Sequence, residues 1–582
     1  MLVHAFENRL PFSVVAEKCD LFVRVHAFVL REFCGRLSLL AKKIKRAIIS
    51  VFDKTGIVGL AEGLSELGVE IISTGGTAKV LSEAGIDVLE VSELTGFPEC
   101  LDGRVKTLHP KVHGGILAVR NNPEHMARIK ELGVKTIDIV VINLYPFKQT
   151  ILKEGAELSD AIENIDIGGP AMLRAAAKNY KDVIVVIDPE DYGALLKVLM
   201  EAGDLSDIDR LRFSQKVFSH TANYDAMISA YLRDRVEKDC LATGNGPGFE
   251  KLMTLTFEKV FDMRYGENPH QEAALYREPI PYPGTVTAAV KLHGKELSYN
   301  NINDADCALE LLREFSGPAA VAVKHATPCG AAVGKDAYSA YKAAHDSDPE
   351  SIYGGIVAVN RAVDLKTANE MSKIFLEIVI APEFNEDAFE VLSRKKNIRL
   401  LRLDIGKTCD GHNEPHSSGY NEHRGTSAPY KELRFKKVSG GLLVQSANLI
   451  TIEKANLNVV TERVPDGKEM DDLLFAMAVA KHARSNAVVL AKDLIAVGIG
   501  AGQTSRIMAA KVALENAKER AVGAVLASDA FFPFDDCVMA AAKSGVTAII
   551  QPGGSKNDQQ SIDMCNRHGI SMVFTGIRHF MH

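Results

Sequence analysis

The chain reads as an α/β protein: a parallel sheet covered on both faces in its N-terminal part, then a second part built of two similar α/β/α layers. Three observations predict this. From Lys45 onward, short runs rich in Val and Ile alternate with amphipathic stretches, and continuous apolar runs of strand length mark strands buried on both faces. The 582 residues exceed what one hydrophobic core supports. Finally, residues 320–334 (…Val-Lys-His-Ala…Gly-Ala-Ala-Val-Gly) have an echo in 478–502 (…Ala-Lys-His-Ala-Arg-Ser-Asn-Ala…Val-Gly-Ile-Gly-Ala-Gly). Each copy offers Lys-His, a strand and then a glycine turn, as a repeated layer would.

In chain order, residues 1–45 stand apart. They lack a clear period and carry a small echo, Val3-His4-Ala5-Phe6 and Val25-His26-Ala27-Phe28. A misassigned translation start, a disordered extension and an organelle-targeting segment are all open readings. The apolar run 21–30 is broken by Arg24 and His26 and follows Glu7, Glu17 and Asp20, which argues against a signal peptide. Residues 46–51 read as a strand, 55–67 as an amphipathic helix, 69–73 as a strand, 77–84 as a helix and 88–91 as a strand. Then follow a buried strand over 137–144, a helix over 167–178, a strand over 183–188 and mostly helix over 207–235. The extended stretch 244–254 is the expected linker, which divides the chain into domains of 46–250 and 251–582. In the second domain, 352–360 and 524–530 are corresponding strands of the two layers. Between the layers lies a polar insertion at about 405–432, rich in Gly, Ser, Asn and His. Its Cys409, His412, His416 and His423 look like a metal set, but an unpatterned polar loop has no scaffold to hold tetrahedral geometry. A solvated loop, with no metal, is expected there.

Composition narrows the function classes. Hydrophobic residues make up 46% and charged residues 25%, values of a soluble globular protein. A net charge of −7 gives no electrostatic basis for nucleic-acid binding, so an anionic ligand must be captured by local cations and backbone donors. Nine cysteines without C-x-x-C spacing fit a reducing cytoplasm better than a disulfide framework. No run approaches the roughly 18 apolar residues of a membrane span.

Two constellations carry chemistry. In the first half, Ser73-Thr74-Gly75-Gly76-Thr77 lies between a predicted strand and helix, where glycines and a helix N-terminus admit a phosphate; a tight turn without ligand is equally readable there. Arg104-Val105-Lys106-Thr107-Leu108-His109-Pro110, if extended, points Arg104 and Lys106 to one side. Asn143-Leu144-Tyr145-Pro146-Phe147 ends a strand, where open α/β sheets place ligands. Asp166-Ile167-Gly168-Gly169-Pro170 opens a helix that runs to Lys178. In the second half, Lys324-His325 ends an apolar run. An imidazole there can take a proton from an amine while the ammonium stabilises charge on a transferring acyl group.

These residues belong to a larger ordered set. Asp53-Lys54-Thr55-Gly56, 104–110, 143–147, 166–169, 174–179 and 264–271 (Arg-Tyr-Gly-Glu-Asn-Pro-His-Gln) are followed by 324–330, Ser485-Asn486, 498–506, 528–534, 553–555 and the tail 578–582. Over essentially 46–582 the chain resembles the bifunctional purine-biosynthesis family AICAR transformylase/IMP cyclohydrolase. The resemblance implies a methylglyoxal-synthase-like first domain and a transformylase domain of two cytidine-deaminase-like layers. It implies formyl transfer from 10-formyltetrahydrofolate, a co-substrate, to AICAR, then cyclodehydration of the product FAICAR to IMP. It also implies a cytoplasmic homodimer acting on small-molecule nucleotide and folate substrates, with no catalytic metal, nucleic acid or membrane partner.

Carried over residue by residue, the cyclohydrolase nucleotide would lie on Asp53, Lys54, Thr74, Gly75, Gly76, Thr77, Arg104, Val105, Thr107, Asn143, Ile167 and Gly168. Lys106, Tyr145, Asp166 and Lys178 would surround the ring-closing atoms, Lys178 as proton donor or acceptor and Lys106 as oxyanion stabiliser. Lys178→Ala should then abolish ring closure and spare formyl transfer, and Lys324→Ala the reverse. In the transformylase site, Arg264, Tyr265, Asn486 and Arg506 would bind AICAR, His325 would deprotonate its amine and Lys324 would stabilise the formyl group. Ile507, Phe531, Phe532, Asp536, Ser555, Lys556 and Arg578 would be the folate-side contacts; read without the resemblance, Phe531 and Phe532 are equally core residues. Two positions depart from the family pattern. Phe52 stands where Ser is usual, and Gly355 stands where many eukaryotic relatives have Asp. A zinc nucleoside deaminase, suggested by Pro328-Cys329, fails for want of a second Cys at x-x spacing. A phosphate-sensing module is the remaining alternative, against which both constellations retain titratable residues.

Overall fold

The structure, a computed structural model, describes residues 44–582 apart from 102, 243–248, 281–282 and 406–432. The first 43 residues and the insertion with Cys409, His412, His416 and His423 therefore lie outside the described residues. The chain forms two compact units that divide between Thr256 and Phe257.

The first unit holds a five-stranded parallel sheet of β1 (Arg46–Val51), β2 (Glu70–Ser73), β3 (Val88–Glu90), β4 (Ile139–Asn143) and β5 (Ile184–Val186), in the order β3-β2-β1-β4-β5. Side chains alternate between the faces of a strand, and here both faces are covered. Ile48, Val140 and Val185 pack into one core, while Ala47, Ile49, Ile139, Val141, Ile184 and Val186 pack into the other. That is why the strands read as unbroken apolar runs rather than alternating ones. The chain steps outward from β1 to β3, then returns to add β4 on the other side of β1. The carboxyl ends of β1 and β4 thus form the switch point, where a crevice opens above the sheet.

The second unit holds a twelve-stranded mixed sheet made of two halves. The first half contains β8 (Val290–His293), β9 (Ala319–Val323), β10 (Pro328–Val333), β11 (Ile356–Val359), β12 (Ile378–Ala381) and β13 (Arg399–Arg402). The second contains β16 (Asn458–Val459), β17 (Val488–Lys492), β18 (Ile495–Gly500), β19 (Val525–Ser528), β20 (Ala548–Gln551) and β21 (Ser571–Phe574). Their orders, β10-β9-β11-β12-β13-β8 and β18-β17-β19-β20-β21-β16, match strand for strand. They join where β10 and β18 pair antiparallel, Ala332 opposite Ile495, so a half-turn about the sheet normal relates them. Two hairpins, β6 (Glu258–Met263) with β7 (Ala273–Arg277) and β14 (Leu433–Val438) with β15 (Gly441–Ser446), form sheets of their own.

The repeat is real, but its register differs from the one that the Lys-His echo suggests. Lys324-His325 sits in the turn between β9 and β10, whereas Lys481-His482 ends the helix Gly467–Lys481, before β17 begins. The structural counterpart of the β9–β10 turn is the β17–β18 turn, Asp493-Leu494. His325 corresponds to Asp493 and Gly330 to Gly498, 168 positions apart in each case. The glycines at these positions are matched by packing. A Cβ on Gly330 would lie 2.5 Å from the Ala344 carbonyl, and one on Gly498 would strike the Ala513 carbonyl. Each glycine lets a helix lie directly on its half of the sheet. The Lys-His echo was a coincidence of composition between a turn and a helix end.

Candidate active sites

In the first unit, the carboxyl ends of β1, β2 and β4 carry the expected residues. Asn143 locks the β1–β4 switch point: its Oδ1 accepts from the Phe52 and Asp53 amides at 2.5 and 2.9 Å, and its Nδ2 donates to the Asp53 carbonyl at 3.0 Å. Asp53 turns back on Thr55, whose hydroxyl and amide hold its carboxyl below the usual range. The Lys54 ammonium donates to the Val51 carbonyl and, at 3.1 Å, to the Thr77 hydroxyl. Burial lowers its pKa. Beyond β2, Thr74 is the N-cap residue of the helix Gly75–Glu83, and its hydroxyl lies 3.2 Å from that of Ser50. Gly75 and Gly76 are exposed at the start of that helix, whose positive end attracts an anion.

Residues 104–107 arch over this helix end. They form a turn with an isolated bridge, Cys100 to Val105, rather than the extended stretch that would point Arg104 and Lys106 the same way. Arg104 forks onto Glu163. The Lys106 ammonium lies 2.8 Å from Glu99 and 3.7 Å from the Cβ position of Gly75. Thr107 faces Gly168 so closely that a Cβ there would stand 2.8 Å from its hydroxyl. Asp166 caps the next helix, accepting from the Gly169 amide at 2.8 Å and, more weakly, from the Tyr145 amide at 3.4 Å. Burial raises its pKa against those two amides. Tyr145 is half exposed beside Phe52, their ring centroids 6.0 Å apart at 64°. Phe52 thus supplies an apolar edge at the position where Ser is usual.

Lys178 does not join this group. The helix Gly168–Lys178 starts at the carboxyl rim of the sheet, and its 11 residues carry Lys178 to the amino rim, roughly 15 Å away. There the next residue, Asn179, donates to the carbonyls of Ile116 and Ala118. The spacing of twelve residues after Asp166 says nothing about which end of a helix a side chain occupies. Ile167 is exposed at the helix start. Glu99 and Glu163, which hold Lys106 and Arg104, were not foreseen: lone glutamates carry no signal of their own.

In the second unit, one rim of the sheet collects the expected residues. The β9–β10 turn presents Lys324, whose ammonium donates to the Tyr353 carbonyl at 3.0 Å, and an exposed His325. Gly355 lies beside them; a Cβ on it would stand 3.0 Å from the Val323 carbonyl. A cleft of about 290 Å³ opens next to the turn, lined by Lys324, His325, Cys329, Asp348, Ser351 and Asn516 among others. Burial pushes the Cys329 thiol up to about 12, so it packs as a neutral group rather than acting as a thiolate. The loop carrying Arg264 and Tyr265 meets the helix Tyr299–Leu312, where Asn300 donates to the Glu267 carbonyl at 3.5 Å.

Further along the same rim, Asn486 donates to the Gln503 carbonyl at 2.7 Å. Arg506 is buried against Asp529, and burial pushes it down to about 10, which leaves the guanidinium charged at neutral pH. Asp529 also accepts from the Ser485 hydroxyl at 2.6 Å, and that hydroxyl in turn accepts from the Met581 amide at 3.0 Å. The tail is thereby docked, with Phe580 under the guanidinium of Arg578 at 4.4 Å and of Arg506 at 6.0 Å. Ile507 and Asp536 are part-buried, Phe531, Lys556 and Arg578 exposed. The Asn557 amide, 2.8 Å from the Pro533 carbonyl, ties the Ser555 loop to the Phe531 loop. Phe532 departs from expectation: fully buried among Leu526, Val538 and Ile549, it is a core residue and faces no ligand. Adjacent residues leaving a strand point in opposite directions, so only one of two neighbouring phenylalanines could reach the rim. Among the described residues no group of three His, Cys, Asp or Glu side chains is placed to hold a metal, and no helix is long and apolar enough to cross a membrane.

Comparison with known proteins places these geometries in context. The family model described as AICARFT/IMPCHase bienzyme matches residues 176–516, and that of the MGS-like domain matches 56–171. A "Bifunctional purine biosynthesis protein PurH" from Acetivibrio thermocellus is 57% identical over 93% of this chain and 100% of its own length. The PurH proteins of Ruminiclostridium cellulolyticum and a Thermoanaerobacter species are 56% and 55% identical, over 93% and 92% of this chain and 100% of their own.

Proposed function

The chain belongs to the AICARFT/IMPCHase bienzyme family and is a bifunctional enzyme of purine biosynthesis, an AICAR formyltransferase and IMP cyclohydrolase; from that premise we propose that the switch-point crevice of the first unit closes the ring and the β9–β10 rim of the second transfers the formyl group. The observation that carries this division is that each unit collects its own titratable cluster at one sheet rim.

In ring closure, the carboxamide nitrogen attacks the formyl carbon and gives up one proton; the formamide nitrogen then gives up a second as its double bond to that carbon forms, and the former carbonyl oxygen departs with two protons as water. The phosphate lies on the amides of Gly75 and Gly76, with Lys54 and Arg104 supplying charge. Lys106, suspended over the same helix end, donates to the oxygen as charge builds there. Asp166 takes the proton from nitrogen, since burial raises its affinity for one. Tyr145 and Asn143 orient the reacting groups, and positioning two groups of one substrate lowers the barrier further.

In formyl transfer, His325 accepts a proton from the AICAR amine as nitrogen attacks, and Lys324 stabilises the oxygen of the formyl group. The amine–formyl bond forms while the bond to the donor nitrogen breaks, and that nitrogen takes up the proton that the amine has lost. Arg264, Tyr265, Asn486 and Arg506 bind the nucleotide; Ile507, Phe531, Asp536, Ser555, Lys556 and Arg578 face the donor, which we assign as 10-formyltetrahydrofolate. The test is a coupled assay: AICAR with 10-formyltetrahydrofolate should yield IMP by absorbance, and no product with that donor at saturation rules the assignment out.

The cytoplasmic working form is a homodimer. His325, Arg264, Phe531 and Arg578 remain exposed along one rim, with β9 and β19 four strand spacings apart, roughly 19 Å; a second copy would enclose them. The hairpins also expose Val260, Tyr276, Phe435, Leu442 and Leu443, a burden that a partner relieves. Sedimentation equilibrium should give twice the chain mass, and a monomer at assay concentration would refute this.

A further inference from the structure

We propose that Asp304 is a positioning residue for formyl transfer, holding the backbone of His325 in the left-handed conformation that leaves its imidazole exposed at the rim; this rests on the reading of His325 as the general base. His325 and Ala326 both have left-handed backbone, with φ of +56° and +51°. Non-glycine residues rarely adopt that region, and two in succession form the tight hairpin turn that joins β9 to β10. Asn-Gly and Gly-Gly favour such a turn, whereas His-Ala is not a preferred pair and Ala has no tendency to positive φ. Something must hold it.

The hold is a single carboxylate. Asp304, on the helix Tyr299–Leu312, accepts from the His325 amide at 3.2 Å through one oxygen and from the Ala326 amide at 2.7 Å through the other. A charged acceptor on two successive amides fixes both peptide planes and therefore the direction in which the His325 side chain leaves the chain. The same helix, one turn earlier, contacts the Arg264 loop through Asn300. Asp304 thus sets the general base against the element that carries a nucleotide contact.

The molecule contains its own control. In the second half, Asp493 and Leu494 have φ of +57° and +58°, and Asp472 accepts from their amides at 3.0 and 2.6 Å. Asp304 and Asp472 occupy equivalent positions on equivalent helices, the same 168 residues apart as the turns they hold. That second turn carries no imidazole and lies at the opposite rim. The fold therefore uses the clamp wherever this hairpin occurs, and only at Asp304 is the clamp coupled to chemistry.

The experiment compares Asp304→Ala, Asp304→Asn, Asp472→Ala and His325→Ala in the full-length protein, measuring kcat and KM for formyl transfer, ring closure and thermal unfolding. A misplacement near 1 Å can cost about 100-fold. Asp304→Ala should therefore lower formyl-transfer kcat by about 10- to 100-fold with KM for AICAR within about threefold, and Asp304→Asn, which keeps one acceptor, should recover part of it. Asp472→Ala should lower the unfolding temperature as much as Asp304→Ala does while leaving both activities near wild type. Equal kcat losses for Asp304→Ala and Asp472→Ala, or no loss for either, overturn the proposal. If Asp304→Ala does not fold, as unfolding and lost ring closure would reveal, Asp304→Asn decides: wild-type kcat overturns the proposal and a selective kcat loss supports it. An active His325→Ala would instead overturn the general-base reading.

Discussion

His325→Ala is expected to lower kcat for formyl transfer by about 10²- to 10⁴-fold, the usual contribution of a general base, and to leave ring closure unchanged. The amine of AICAR is conjugated with its ring and nucleophilic only as its proton departs. Without an imidazole at the β9–β10 turn, that proton has only water to go to. Lys324→Ala should act in the same direction, since the ammonium that donates to the Tyr353 carbonyl belongs to the residue next to His325 and lines the same cleft. The measurement is paired: IMP formed from AICAR plus donor, and IMP formed from FAICAR alone, on the same preparation. A fall in both would mean that the variant disturbs more than one unit, or that the reactions do not reside in separate clusters.

Lys106→Ala should have the opposite profile, reducing conversion of FAICAR to IMP by about 10²- to 10³-fold, the cost of losing one oxyanion donor, with formyl transfer intact. Lys178→Ala should leave ring closure within a few-fold of wild type, because the helix carries that side chain to the far rim. The pH dependence follows from Asp166. Burial raises its pKa, so the ionised carboxylate that accepts the proton is depleted as pH falls through the raised value. Ring closure should therefore weaken on the acid side at a pH above the ordinary aspartate value. Asp166→Asn should remove that limb and lower the rate throughout. A Lys178→Ala variant without ring closure, or an acid limb that survives in Asp166→Asn, would reassign the proton transfer.

Much of this was legible in the sequence, for identifiable reasons. Strands such as Ile139–Asn143 are buried on both faces, so their composition alone declares them. Motifs at strand ends, Asn143-Leu144-Tyr145 and Lys324-His325, were placed correctly because parallel and hairpin strands fix where their ends go. What failed was anything that depended on direction in space. Lys178 is on the foreseen helix but at its wrong end. Phe532 is next to an exposed aromatic but turned inward. Lys481-His482 repeats two letters of Lys324-His325 but caps a helix instead of making a turn. Asp304 was missed because a single aspartate inside a helix has no pattern; only the correct register of the repeat, which pairs it with Asp472, gives it one.

The half-turn that relates the two halves of the twelve-stranded sheet settles what doubling this fold could and could not achieve. A duplicate related by such a rotation sends its own hairpin tip to the opposite rim of the sheet, away from the residues assigned to the first half's reactants. Its tip has Asp493 in place of the imidazole but keeps an ammonium, Lys492, on the Val522 carbonyl at 2.9 Å, while its loops come round to widen the shelf beside the original. An engineer who wished to install a second transferase centre would find the lysine, Lys492, already in place, and Asp493→His would complete the pair at the rim opposite the residues assigned to the nucleotide.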